Sequence, residues 1–167
     1  MYMLRIAAVI IVLFGLSATY QYFTATPEKL FNENFHPFEL HVTRGTSTPL
    51  EDLYEKGDMN GLIRQYIQLK SPGAKDCFLV GNAFLNTHRP AEAIEAFIRM
   101  KQINKTNNTH YFEDDVEYFL ALGYLANNEP DKSFPLFNKI YADPEHPFHS
   151  AVSTWFLQKV NHSIAAR

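Results

Sequence analysis

The sequence predicts an all-α chain, a short α-solenoid of antiparallel helix pairs preceded by an N-terminal transmembrane helix. Three observations predict it. Cys77-x-x-Val80-Gly81-x-x-Phe84, followed by Ala93-x-x-x-Phe97, spaces small and apolar residues as two helices packed on each other require. Forty residues on, the pattern returns as Glu117-x-x-Leu120-Ala121-x-x-Tyr124 and Ser133-x-x-x-Phe137. Proline and glycine punctuate the chain where helices should start and stop, and the alternating run Phe38-x-Leu40-x-Val42 has no visible partner strand. Three regions follow: 1–23, an apolar N-terminal segment; 24–48, a short helix and an extended linker; and 49–161, the paired helices with a C-terminal capping helix.

Arg5 is the one charge before Glu28, and Ile6 to Ala18 is apolar or small throughout. A secretory signal has a positive start, a short apolar core and small residues before the cut. A membrane anchor needs about 20 largely apolar residues. Cuts after Ala18 or Ala25 would place bulky Leu16 or Phe23 at the outer recognition position, which favours an uncleaved anchor through residues 4–23. Tyr20, Tyr22 and Phe23 suit the far interface, and Arg5 keeps the N-terminus cytoplasmic. In a Gram-negative host this gives a single-pass inner-membrane protein with its helical domain in the periplasm.

Thr26-Pro27-Glu28 is a helix start, with a hydroxyl cap, proline in the first turn and an acid at the positive end. Leu30, Phe31 and Phe35 follow at helical spacing until His36-Pro37 ends the helix. The alternating segment from Phe38 should lie against the helical body, and Thr43 to Ser47 reads as a loop. Thr48-Pro49 starts the next helix, with Leu50, Leu53 and Tyr54 as its apolar side. Gly57 suits a left-handed helix end and Asp58 caps a helix carrying Leu62, Ile63, Tyr66, Ile67 and Leu69. Ser71-Pro72-Gly73 stops it.

In the clearest unit, Ala74 to Asn86 forms the first helix. Glycine inside a helix costs about 1 kcal/mol relative to alanine, so Gly81 implies a close approach with no room for a β-carbon. Pro90 opens the partner helix, where Ala93 sits at the crossing and Phe97 fills the space beyond. Asn104 to Thr109 reads as a loop that accounts for the forty-residue step. Its Asn104-x-Thr106 and Asn107-x-Thr109 triplets are glycan acceptors only in a secreted eukaryotic protein. Glu113, Asp114 and Asp115 complement the dipole of the next helix start. In this second unit Ala121, Ser133 and Phe137 repeat the packing roles of Gly81, Ala93 and Phe97. A last helix from Pro147 to about Asn161, carrying Ala151, Val152, Trp155, Phe156 and Val160, has no partner and caps the open end.

The net charge of −3 spreads over 167 residues without a basic block, so nucleic-acid binding lacks its electrostatic footprint. The single cysteine, Cys77, excludes an intramolecular disulfide and reads as a small core residue. There is no phosphate-binding glycine loop, no Cys-x-x-Cys and no His-Glu-x-x-His. Proline between His146 and His149 works against a shared metal site. The reading is therefore of a non-enzyme without cofactor or metal, whose partner is another protein.

The spacing from Leu50 to Val160 resembles the tetratricopeptide repeat family, best at Cys77 to Phe97 and next at Glu117 to Phe137. Departures are Cys77 and Glu117 where the family opens its units with a large aromatic, and no proline after the first clear unit. An N-terminal anchor ahead of such units also resembles membrane-tethered repeat proteins of Bacteroidetes, some of them tails of anti-sigma regulators. The resemblance implies a concave face lined by the first helices, with Tyr54, Phe78, Asn82, Leu85, Tyr118, Leu122 and Phe156 forming a peptide groove. The aromatics would supply apolar contact, and Asn82 hydrogen bonds to a peptide backbone. The short helix at Leu30 to Phe35 is itself a candidate to fill that groove. The expected function is a membrane-tethered protein–protein interaction scaffold. The alternative is a regulatory subunit of a transmembrane signalling system.

Overall fold

The computed structural model describes residues 2–40 and 47–166, with side chains from residue 10 onward. Among these residues the chain is all-helical and contains no strand. The predicted extended run beyond residue 40 and most of the predicted 43–47 loop lie outside the described residues.

Helix α1 (Tyr2–Phe23) is followed after a short break by α2 (Pro27–Asn34). The Thr26 hydroxyl accepts from Lys29 N at 3.2 Å, and Pro27 occupies the first turn. Among the described residues no helix is long and apolar enough to cross a membrane. The apolar run of α1 gives way after Leu16 to Ser17, Thr19 and Gln21, and the Thr19 hydroxyl donates back to Gly15 O at 2.8 Å. The segment predicted as an anchor forms one helix of 22 residues. Ile10 to Phe14 and Leu16 are all more than half exposed.

Three helix pairs follow: α3 (Pro49–Glu55) with α4 (Met59–Ile67), α5 (Ala74–Asn86) with α6 (Pro90–Asn107), and α7 (Glu113–Ala126) with α8 (Pro130–Ala142). Each pair turns by one device. Gly57 N, His88 N and Asn128 N donate to Tyr54 O, Leu85 O and Leu125 O, all at 3.0–3.1 Å. The next amide donates to Leu53 O, Phe84 O or Tyr124 O. The turn residue is left-handed in every case, with φ of 72° at Gly57, 56° at His88 and 57° at Asn128. Such a residue lets the chain reverse while the last carbonyls of the first helix keep donors. The expected left-handed glycine is present, whereas His88 and Asn128 adopt that region without being glycine.

Thr48 and Glu51 form a reciprocal cap at the start of α3, and Asp58 Oδ1 accepts from Gly61 N at 2.8 Å at the start of α4. Helix α4 stops at Ile67, so Ile67 and Leu69 project outward, 64 % and 37 % exposed, rather than completing a buried stripe. The predicted loop at Asn104 is also revised, because α6 continues to Asn107 and ends on left-handed Asn108. Asn104 is buried and staples the turn. Its Nδ2 donates to Tyr111 O at 2.8 Å, and its Oδ1 accepts from the Thr109 hydroxyl at 2.9 Å. A side chain so engaged is no glycan acceptor. The last segment differs as well. A single 3-10 turn (His149–Ala151) precedes α9 (Thr154–Ala165), which the Ser153 hydroxyl caps.

The predicted packing residues Gly81, Ala93, Phe97, Ala121, Ser133 and Phe137 are all buried. A β-carbon on Gly81 would lie 2.7 Å from Phe97 Cδ1 and 2.8 Å from Cζ, and closer still to Cε1. The close approach is therefore to the Phe97 ring. In the later pair the Ser133 hydroxyl donates to Ala121 O at 2.9 Å, so the small residue here also forms a hydrogen bond. Cys77 is buried, with Tyr66 Oη at 3.4 Å from its Sγ.

Trp155, expected in the core, is 39 % exposed. It lies on the face of α9 turned towards α1, where Tyr22 packs between Trp155 at 5.7 Å and His162 at 4.5 Å. Residues 155 and 162 are seven apart, so one helix face receives the end of α1. Ala151 also faces solvent, while Val152, Phe156 and Val160 are buried as their spacing predicts.

Candidate functional site

The face built from α3, α5 and α7 is the surface to which the predicted binding residues belong. Tyr54, Phe78, Asn82, Leu85, Tyr118, Leu122 and Phe156 are all at most 7 % exposed. They do not line an open cleft. Residues 27–40 cover much of the face, and the remaining members belong to the helix packing.

The cover is made by an amphipathic turn and an extended tail. Leu30 and Phe31 of α2 are buried, while Glu28, Asn32 and Glu33 point to solvent. Phe31 stacks on Phe35 at 5.0 Å, and Phe35 meets Phe119 edge-on at 6.4 Å. Phe38 stands edge-on to Phe78 at 4.9 Å and to Phe112 at 5.4 Å. Phe112 in turn stacks on Phe78 at 4.4 Å. Below them Tyr118 stacks on Phe148 at 4.3 Å and donates its hydroxyl to Asn34 O at 3.2 Å. Edge-on and offset ring pairs of this kind add about 0.5–1.5 kcal/mol each beyond area burial. Phe156 has a different neighbour, Phe137 at 4.8 Å, and so belongs to the α8–α9 contact.

Phe35 belongs to the short helix expected to fill this face, whereas Phe38, Phe112 and Phe148 are residues that sequence reasoning did not place here. The alternation from Phe38 was the available signal for Phe38. Phe112 adopts a left-handed conformation before α7, and Phe148 sits in a loop, so helical periodicity could not find either.

Two polar atoms at the face are buried without a hydrogen-bond partner. Asn82 donates through Nδ2 to Phe78 O at 3.1 Å, but its Oδ1 accepts nothing. The Tyr54 hydroxyl lies beside the Phe38 backbone without a well-formed bond. Burial raises the ionisation of Tyr54, Tyr66 and Tyr118 above the ordinary phenol range, so all three are neutral. Burial also pushes the Cys77 thiol up, which removes it from thiolate chemistry.

A cavity of about 520 Å³ runs beside α2. Glu28, Phe31 and Asn32 line one side; Leu85, His88 and Leu125 line the other. A second, of about 630 Å³, lies between α6 and α7 over Ile98, Val116 and Leu120, with Lys101 and Lys105 at its rim. Near the α7 start, burial and neighbouring Asp114 raise the Asp115 carboxyl above its usual range. His146 Nδ1 accepts from Phe148 N at 3.1 Å, which leaves its buried Nε2 as an unpartnered position. Among the described residues no three His, Cys, Asp or Glu side chains gather as a metal ion requires.

The arrangement offers apolar and aromatic contact with a few fixed polar groups. No protein-family model, no curated protein and no solved structure matches this chain.

Proposed function

We propose that the chain is a membrane-tethered protein–protein interaction scaffold of the tetratricopeptide-repeat type. In this reading its first-helix face receives a peptide segment of another envelope protein on the extracytoplasmic side. The observation that carries the proposal is that this face already holds a peptide segment, residues 27–40, through Leu30, Phe31, Phe35 and Phe38. A surface that buries an amphipathic turn and an aromatic tail has the shape and chemistry for a similar segment from elsewhere. The common turn at Gly57, His88 and Asn128 supports the repeat reading. The tether is α1, whose exposed Ile10 to Phe14 and Leu16 require an apolar surrounding.

The test is recovery of partners from detergent-solubilised membranes, using the wild-type chain and an Asn82→Ala, Tyr118→Ala variant. The variant should lose a partner that the wild type retains. Equal recovery removes the first-helix face from the proposal. Flotation of the chain with phospholipid vesicles tests the tether separately, and a chain that stays at the bottom of the gradient has none.

One contact favours the second reading, a regulatory subunit in transmembrane signalling. Tyr22 at the end of α1 packs on Trp155 and His162 of α9, so displacement of α1 bears directly on the helical body. Replacing residues 1–23 with an unrelated anchor separates the readings, because a scaffold keeps its activity and a signalling subunit loses it.

A further inference from the structure

We infer that residues 27–40 are a built-in competitor at the first-helix face, one that yields to an external segment of the same design. That segment carries two adjacent apolar side chains on a helical turn and an aromatic three to eight residues on. It also brings backbone groups for Asn82 and Tyr54. The inference rests on the scaffold reading and adds its regulation and the chemistry of its partner.

Three observations lead here. The first is how the cover is attached. Among the described residues its well-formed polar ties to the body are the Tyr118–Asn34 hydrogen bond and the Glu33–Lys159 ion pair at 3.5 Å. No backbone–backbone hydrogen bond joins residues 36–40 to the described helices. The hold is mainly side-chain packing, of Leu30, Phe31, Phe35 and Phe38. A segment held without backbone bonding belongs to the weakly protected end of a fold.

The second is what the cover leaves undone. Asn82 Oδ1 and the Tyr54 hydroxyl are buried and unpartnered, on adjacent first helices that meet Phe38. Groups removed from water without partners disfavour the covered state. An extended segment with an N–H over Asn82 and a carbonyl over Tyr54 relieves both. The resident tail leaves Asn82 Oδ1 unpartnered and brings only its Phe38 backbone near the Tyr54 hydroxyl, without a well-formed bond.

The third is incomplete filling. The cavity of about 520 Å³ beside α2 separates Phe31 from Leu125 and reaches the first-helix residue Leu85. The resident segment therefore spans the face without occupying its full width. A competitor with a bulkier apolar side chain there gains contact that the resident segment lacks. Covalent attachment compensates for this poorer fit, because a tethered segment acts at a local concentration on the order of millimolar.

The experiment has two arms. Hydrogen exchange on the intact wild-type chain compares residues 29–40 with α5 and α7. The segment should exchange at least ten times faster than either helix. Exchange at the rate of α5 and α7 makes the segment an integral part of the core and overturns the inference, while leaving the scaffold reading to its own test. The second arm titrates a fluorescein-labelled peptide of residues 26–40 against the wild-type chain and a Phe31→Ala, Phe38→Ala variant. The variant should bind at least tenfold more tightly, since its own segment competes less. Loss of the variant's helical circular dichroism shows that the segment is needed to fold, and overturns the inference. A folded variant that does not bind the peptide overturns the inference and the scaffold's choice of face together.

Discussion

Replacing Gly81 by alanine should destabilise the protein, against the usual direction for a helical glycine. Alanine is favoured over glycine inside a helix by about 1 kcal/mol. Here the new β-carbon meets the Phe97 ring at 2.7 and 2.8 Å, about 1 Å inside ordinary carbon contact. Phe97 is fully buried and lies 6.0 Å from Phe78, so its ring cannot swing into solvent. Overpacking a fixed core site costs about 1–3 kcal/mol. The severity of this contact places it near the upper end, leaving a net loss of about 1–2 kcal/mol. Gly123 is the internal control. A β-carbon there meets Ile94 Cγ1 at 3.3 Å and Leu85 Cδ2 at 3.8 Å, both on adaptable aliphatic chains. Gly123→Ala should therefore be neutral or stabilising by up to about 1 kcal/mol. Equilibrium urea unfolding, read from the fluorescence of the single tryptophan and from circular dichroism, measures both. A Gly81→Ala variant as stable as wild type, or more so, refutes the close packing of α5 on Phe97.

Gly57→Ala should cost about 1–2 kcal/mol, because the residue sits at φ 72° where a β-carbon is strained; a matched urea melt measures it. Asn104→Ala removes two part-buried hydrogen bonds and should cost about 1–3 kcal/mol, while Asn107→Ala on the exposed end of α6 should change stability by less than about 0.5 kcal/mol. Stability should fall as pH rises past the ordinary thiol value of 9.0. Burial raises Cys77, Tyr54 and Tyr66 in the folded state, so the unfolded chain loses these protons first and alkali favours it. Melts at pH 8 and pH 10 check the sign, and Cys77→Ala should weaken the dependence.

The helix pairs were legible in the sequence because their signals are local. A cap, a proline in the first turn and a small residue at a crossing act within one or two turns of helix, so Thr48-Pro49, Asp58 and Gly81 could be read directly. The errors fall where a distant neighbour decides. Ile67 and Leu69 have the right spacing for a buried stripe, but α4 ends before anything covers them. Asn104 reads as a loop former because asparagine competes with the helix backbone, yet its amide is engaged by Tyr111 and Thr109 beyond the helix end. Trp155 has the size of a core residue and instead receives Tyr22 from the far end of the chain. The site followed the same rule. Its residues were assigned to one face only by the repeat resemblance, which misplaced Phe156, and the alternation at Phe38 did not reveal which rings it would meet. Phe112 and Phe148 carried no periodic signal at all.

The bond between Tyr118 and Asn34 joins positions 84 apart, and the pairing of Glu33 with Lys159 spans still more of the chain. On the ribosome, α2 emerges long before its seat exists. At 5–20 residues per second the segment waits roughly six to twenty-five seconds for α9 to be translated. Until α7 is made Leu30, Phe31 and Phe35 lack the helix they chiefly pack on, and they are available to a chaperone or to a neighbouring nascent chain. Biogenesis thus ends with the first-made part of the domain docking on the last-made, and a transcript cut short after α6 yields a product that never completes this step.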